Sequence, residues 1–281
     1  MTDVERVAGV SDPIERAQEA GTLIDEHQEA IAGLSKLRRE AIEQALATGL
    51  TQTQIASRLD MTRGRVSQLL QAGLKAERAF YGTGALTVAI GAKREVNRKD
   101  PSDVLSAESF TAFELLGESA RRVGFDATYE VVPAPGNVHL NRPNLIVLTN
   151  PRLLPFLSQV MEADPHIRYV QDSDDGSWYL VDVTAGKEYR SPRDEGDLAD
   201  FGYVGRLPRP DGKGTFLYLA GLHAPGTLGA AQYVVGNLGH LYRELKNRRF
   251  STIVRYEFES ASQMKMRSVF PVTPLYRHEG V

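Results

Sequence analysis

TQTQIASRLDMTRGRVSQLLQ, residues 51–71, sets small and apolar residues at the intervals of two short helices that cross. Thr51 or Thr53 can cap the first helix, and Ile55, Ala56 and Leu59 face inward. Ala56 stands where two helices at a steep angle approach most closely, and a larger side chain there would push them apart. Four residues later Asp60 takes the turn, where the backbone goes left-handed; glycine fits best and aspartate tolerates it. Thr62 then caps the second helix, and Val66, Leu69 and Leu70 return to the core. The outer face is left to Arg63, Gly64, Ser67, Gln68 and Gln71. Arginine suits guanine edges, glutamine suits adenine, and Gly64 lets the backbone approach a groove. The pattern predicts a helix-turn-helix that contacts double-stranded DNA through Thr62, Arg63, Gly64, Arg65, Ser67, Gln68 and Gln71. Arg58, Arg65, Lys36, Arg38 and Arg39 are candidates for phosphate contacts.

Upstream, the pattern is helical from Asp12 onward. Ile24, Ile31 and Leu34 recur near helical spacing, and Glu19, Asp25, Glu26 and Glu29 form an acidic face, as in a scaffold or dimerisation arm. LSKLRREAIEQALATG reads as a further amphipathic helix that Gly49 closes. Residues 51–70 resemble the promoter-reading helix-turn-helix at the C-terminal end of bacterial sigma factors. Taken with GRLPRPDGKGTFLYLAGLHAPG (205–226) and FSTIVRYEF (250–258), they are similar to a bacterial family described as sigma-factor-like helix-turn-helix proteins. That resemblance covers most of the chain; it implies DNA binding and assigns no activity to the downstream domain. Asp60 departs from it, since many such sequences have glycine there. The roughly fifty residues ahead of the motif lack the basic, aromatic-rich helix that melting DNA would use. A regulator is expected rather than a polymerase subunit.

The composition narrows the classes further. Of 281 residues, 42% are hydrophobic and 25% charged, which is ordinary for a soluble protein. No apolar run is long enough to cross a bilayer, and no export signal opens the chain. Cysteine is absent, in keeping with a cytoplasmic location. A net charge of -3 confines any DNA contact to a local surface. The scattered histidines argue against a metal site, and no cofactor can be assigned.

After Arg78 the periodicity changes, giving a helical DNA-binding domain over 1–78 and an α/β domain over 79–281. Residues 85–91, 128–132, 144–149, 216–221 and 251–258 read as strands; 106–122, 151–162 and 227–245 read as helices; 167–189 reads as inserted β-hairpins. Alternation of strand and helix predicts a doubly wound, Rossmann-like sheet. Arg206 and Arg209 flank a turn and are expected to pair with Asp200 or Asp211, and Trp178 and Tyr179 to cover the core.

In such a sheet, ligands bind beyond the carboxyl ends of the strands. Those ends carry Lys93 and Arg94, then Asn150 and Arg152, then His223, Gly226 and Thr227. Brought together with two helix N-termini, they would hold an anionic small molecule such as a nucleotide or sugar phosphate. The glycines equally suit a tight strand-to-helix turn. The preferred reading is a homodimeric transcriptional regulator that senses this anion. The alternative is a nucleotide or dinucleotide hydrolase with His223 as acid or base and Asn150 holding a ribose or carbonyl.

Overall fold

A computed structural model describes residues 2–95, 99–260 and 265–278; the side chains of Asp25, Glu29, Ala32 and Ala72 lie outside that description. The chain divides into two compact units, Met1–Ala76 and Glu77–Val281.

The first unit is helical: α1 (Asp3–Ala8), α2 (Pro13–Ala47), α3 (Gln52–Arg58) and most of α4 (Arg63–Tyr81). Asp12 caps α2 by accepting from the amides of Ile14 and Glu15, and Pro13 takes the first helical position, where its missing N–H costs nothing. The two upstream helices expected from the sequence are one 35-residue helix, because nothing between Ile14 and Ala47 breaks it. It ends where Gly49, at φ 93°, turns left-handed and the amides of Gly49 and Leu50 return to the carbonyls of Leu46 and Ala45.

The second unit is built on a mixed sheet. Its strands are β1 (Leu86–Arg94), β2 (Asp103–Val104), β3 (Ala127–Pro133), β4 (Leu145–Leu148), β8 (Ala199–Pro208), β9 (Thr215–Gly221), β10 (Phe250–Phe258), β11 (Met266–Pro271) and β12 (Tyr276–Arg277). The spatial order is β3-β1-β4-β9-β8-β10-β11, with β2 also on β1 and β12 also on β10. β3, β1, β4 and β9 run parallel, whereas β8, β10 and β11 add on antiparallel. Helices α5 (Ala107–Arg122) and α7 (Ala224–Leu245) pack on one another and share one face. The opposite face, with Tyr203, Phe216 and Tyr218, is covered by α6 (Leu157–Met161) and a separate three-stranded sheet, β5 (Ile167–Gln171), β6 (Trp178–Asp182) and β7 (Lys187–Tyr189).

The doubly wound expectation is therefore corrected to a mixed sheet with α5 and α7 on one side and a small sheet with the short α6 on the other. β8 was unforeseen: its ten residues, nine of them buried, begin at Ala199, where no element was expected, and run into the stretch from Gly205 that read as a turn. Between 151 and 162 the expected helix shrinks to the five residues of α6; the chain from Pro151 to Phe156 forms turns, where Pro151 and Pro155 donate no N–H.

Candidate nucleic-acid interface

In the first unit a small core of Ile42, Ile55, Ala56 and Val66, flanked by Leu46, Leu50, Leu69 and Leu70, holds α3 and α4 on the end of α2. Thr51 and Gln54 cap each other reciprocally at the start of α3, backbone amide to side chain in both directions at 3.3 and 2.8 Å. Asp60 sits at φ 52°, and the Met61 amide returns to the Ala56 carbonyl at 2.9 Å, closing α3 with a left-handed turn. The Thr62 hydroxyl accepts from the Arg65 amide at 3.1 Å and caps α4. One inward residue of the sequence reading faces out instead: Leu59, the last position before the turn, is 44% exposed.

Arg63, Gly64, Gln68 and Gln71 are exposed along one side of α4, with Ser67 half-buried between them and within 3.5 Å of the Gln71 amide. Thr62 and Arg65 are exposed beside that strip. Two arginines in a first turn that has no acidic residue oppose the helix dipole, a local cost of about 0.3–1 kcal/mol each. An anion in front of that helix end removes the cost. Among the phosphate candidates, Arg38 and Arg58 are exposed, and Lys36 lies 3.8 Å from Glu40. Arg39 is a correction: it is buried against Gly73, where a Cβ would collide with its guanidinium, and it pairs with Glu43 at 3.6 Å.

Residues 30–78 match the family model Sigma-70, region 4. They are a sigma-factor-like helix-turn-helix DNA-binding region, and α3, the Asp60 turn and most of α4 fall inside the match. No curated protein and no solved structure matches the chain. No helix among the described residues is long and apolar enough to cross a membrane.

The residues expected to gather around an anion in the second unit do so only in part. Asn150 reaches the turn after β9, donating to the Gly221 carbonyl at 2.9 Å and accepting from the Leu153 amide at 3.3 Å, so both ends of its amide are engaged. Among the described residues neither hydrogen bond nor ion pair ties Lys93, Arg94 or Arg152 to that turn, and all three are exposed. The α7 N-terminus is already filled. Asp200, fully buried, accepts from the amides of His223 at 3.0 Å and Gly226 at 2.8 Å and from the Ser191 hydroxyl at 2.6 Å. Burial pushes its carboxyl above the ordinary carboxylate range, against the opposing pull of those donors. An internal carboxylate thus occupies the place predicted for an external anion.

The other positions follow suit. Thr227 accepts the Gly221 amide at 2.8 Å, and a side chain on Gly221 or Gly226 would run into backbone, so these glycines serve the close strand-to-helix turn. α6 is five residues long and brings no second helix end. His223 Nε2 lies 2.8 Å from Asp194, and with Asn150 engaged as well, nothing in this arrangement favours the hydrolase alternative. Arg209 pairs with Asp211, as one of the two expectations had it, but Arg206 reaches no carboxylate among the described residues; it donates to the carbonyls of Lys246 and Phe80. Asp200 could have been suspected from the sequence, since it is a lone acid opening the apolar run ADFGYVG.

Proposed function

We propose that the chain is a transcriptional regulator that reads duplex DNA in the cytoplasm with the N-terminal half of α4. The observation that carries this is the exposed strip Arg63, Gly64, Ser67, Gln68 and Gln71 on a capped helix within a region that matches Sigma-70, region 4. In this reading Arg63 and Gln68 contact base edges, Ser67 and Gln71 extend that contact along the groove, and Thr62, Arg65, Arg58 and Arg38 hold the backbone. The second unit is the ligand-responsive part. Repeated rounds of selection from random duplex DNA by the full chain test it: enrichment of a short common sequence is expected, and an unenriched pool would refute base reading.

We further propose that it works as a dimer joined through α2. Ile24, Ile31, Leu34 and Leu37 are 54%, 61%, 65% and 61% exposed, a row of apolar side chains beyond the reach of the helix-turn-helix core. Ile24, Ile31 and Leu34 fall on the first and fourth positions of a heptad, with His27 in the fourth position between them. In an antiparallel pair, Ile24 meets Leu34 of the second copy and His27 meets Ile31, so the row is complementary to itself. Glu15, Glu19, Glu26 and Lys36 lie outside these seam positions. Sedimentation of wild type against Ile31→Glu/Leu34→Glu should show a dimer becoming a monomer; a wild-type monomer at tens of micromolar, weaker than ~10⁻⁵ M, would overturn this part.

A further inference from the structure

The turn between α7 and β10 carries a lysine where glycine is the natural residue. Lys246 stands at φ 51° and ψ -122°, in the second position of a four-residue turn that the Arg248 amide closes on the Leu245 carbonyl at 2.8 Å. Those angles belong to a mirror-image turn, which glycine accepts freely and which strains a residue with a side chain. Besides glycines, the described residues at positive φ are Asp60, Asn144 and Lys246, and the first two are of types that tolerate it. The bonds that hold the turn use only the main chain of Lys246: its amide donates to the Tyr242 carbonyl at 2.8 Å, and its carbonyl accepts from Arg206 at 2.8 Å. Glycine would make the same bonds without the strain. The lysine ammonium stands 5.1 Å from the Tyr242 ring, a contact that leaves the residue exposed.

The free charge around this turn is of one sign. Arg243, Lys246 and Arg248 are exposed, and among the described residues none of them forms an ion pair. Glu244, the acid in that stretch, is taken by Arg277 at 2.9 Å. β8 lies beside β10 with Arg206 opposite Phe250, so the hairpin tip after β8 emerges at the same end of the sheet and adds the exposed Lys213. Asp211 on that tip is taken by Arg209 at 3.0 Å. The helix dipole accounts for Arg243, in the last turn of α7. It does not account for Arg248, which lies past the helix, nor for the strain at Lys246, since a cation inside the last turn meets the dipole without any. In a chain of net charge -3 this end of the sheet is a local cationic surface.

We propose that this end of the second unit grips the phosphate backbone of duplex DNA through Arg243, Lys246, Arg248 and Lys213. Exposed cations displace the counterions of a polyanion, and long side chains on turns follow its backbone without reading bases. Duplex DNA is the polyanion because residues 30–78 are a DNA-binding region, and to that extent the grip rests on the function proposed above. It adds affinity and no sequence preference.

Binding of the full chain to a random-sequence duplex, followed by fluorescence anisotropy across a salt series, tests the grip. Lys246→Gly/Arg248→Ala removes two phosphate contacts. At roughly 0.9 per contact, the slope of log affinity against log salt should become shallower by about two, with binding at least ~10-fold weaker near 0.1 M salt. Lys246→Gly alone should melt no lower than wild type, because it relieves the strain; a lower melting point would show that the lysine serves the turn and overturn its role as a contact. Lys187→Ala/Arg267→Ala takes the same charge from exposed positions elsewhere and should leave the slope unchanged. An unchanged slope in the folded Lys246→Gly/Arg248→Ala protein, an equal loss in the Lys187→Ala/Arg267→Ala protein, or no binding of wild type to the duplex would overturn the proposal. The two readings fail separately: a selection that enriches no sequence refutes base reading by α4 and leaves the slope change standing, whereas an unchanged slope refutes the grip and leaves the preference for a selected duplex standing.

Discussion

Asp200→Ala removes the acceptor at the start of α7 and leaves three donors, the amides of His223 and Gly226 and the Ser191 hydroxyl, without it. At about 1 kcal/mol for each donor, the low end of the cost of an unsatisfied buried group, the loss is about 3 kcal/mol. For a unit of roughly 200 residues this corresponds to a fall of about 6–12 °C in melting temperature. Asp200→Asn keeps an oxygen for the two amides and can donate to Ser191, so it should cost less than about 1 kcal/mol. The pH dependence separates charge from shape. Because burial raises the Asp200 carboxyl, this group's contribution is full below the ordinary carboxylate range and is lost as pH rises through its elevated pKa. Relative to wild type, the asparagine variant should therefore fare better at pH 7 than at pH 4. Calorimetry of both variants at those two values is the assay. An alanine variant that melts within about 1 °C of wild type, well inside that 6–12 °C range, would show that water satisfies the amides and that the α7 start is open to an external anion.

Two further outcomes follow from single positions. His278 is buried against the Ser251 hydroxyl at 3.0 Å, with Asp164, His166 and Arg249 around it, and burial depresses its pKa. Its contribution is present above the unfolded value of about 6.5 and is lost as pH falls through the depressed folded value, so urea midpoints should drop between pH 7.5 and 5.5 and His278→Gln should flatten that slope; an equal slope in the variant would assign it elsewhere. At the α3–α4 turn, Asp60→Gly should stay within about 1 kcal/mol of wild type while Asp60→Val costs about 1–2 kcal/mol in urea denaturation of the first unit, because φ 52° excludes a branched side chain.

The helix-turn-helix was legible because its signals are local. Thr62 at a cap, Asp60 at the turn and Ala56 at the crossing constrain one another within a few residues, and the structure places them so. The second unit was legible element by element but not in its wiring. FLYLAG reads as a buried strand whichever way its neighbours run, so nothing in it announces that β8 lies antiparallel on one side and β4 parallel on the other. β8 itself hid behind Pro208 and Pro210, which mark the turn after it, so Asp200 and Arg206 were read as charges beside a turn and not as buried residues of a strand. The predicted anion site failed for a related reason: sequence shows which loops end the strands, not that a carboxylate two strands away in sequence fills the helix start first. Arg206 was seen in the sequence, but its burial without a carboxylate partner emerges only from the packing of β8.

Everything proposed for DNA rests on the exposed face of α4, and the most direct measurement of it is fluorescence anisotropy on the selected duplex with Arg63→Ala/Gln68→Ala beside wild type. Two bidentate base contacts at about 1 kcal/mol or more each predict at least ~30-fold weaker binding at fixed salt, with melting no lower than wild type because both side chains are exposed and Arg63 opposes the dipole of α4. Equal affinity of the folded double variant for that duplex would contradict the account.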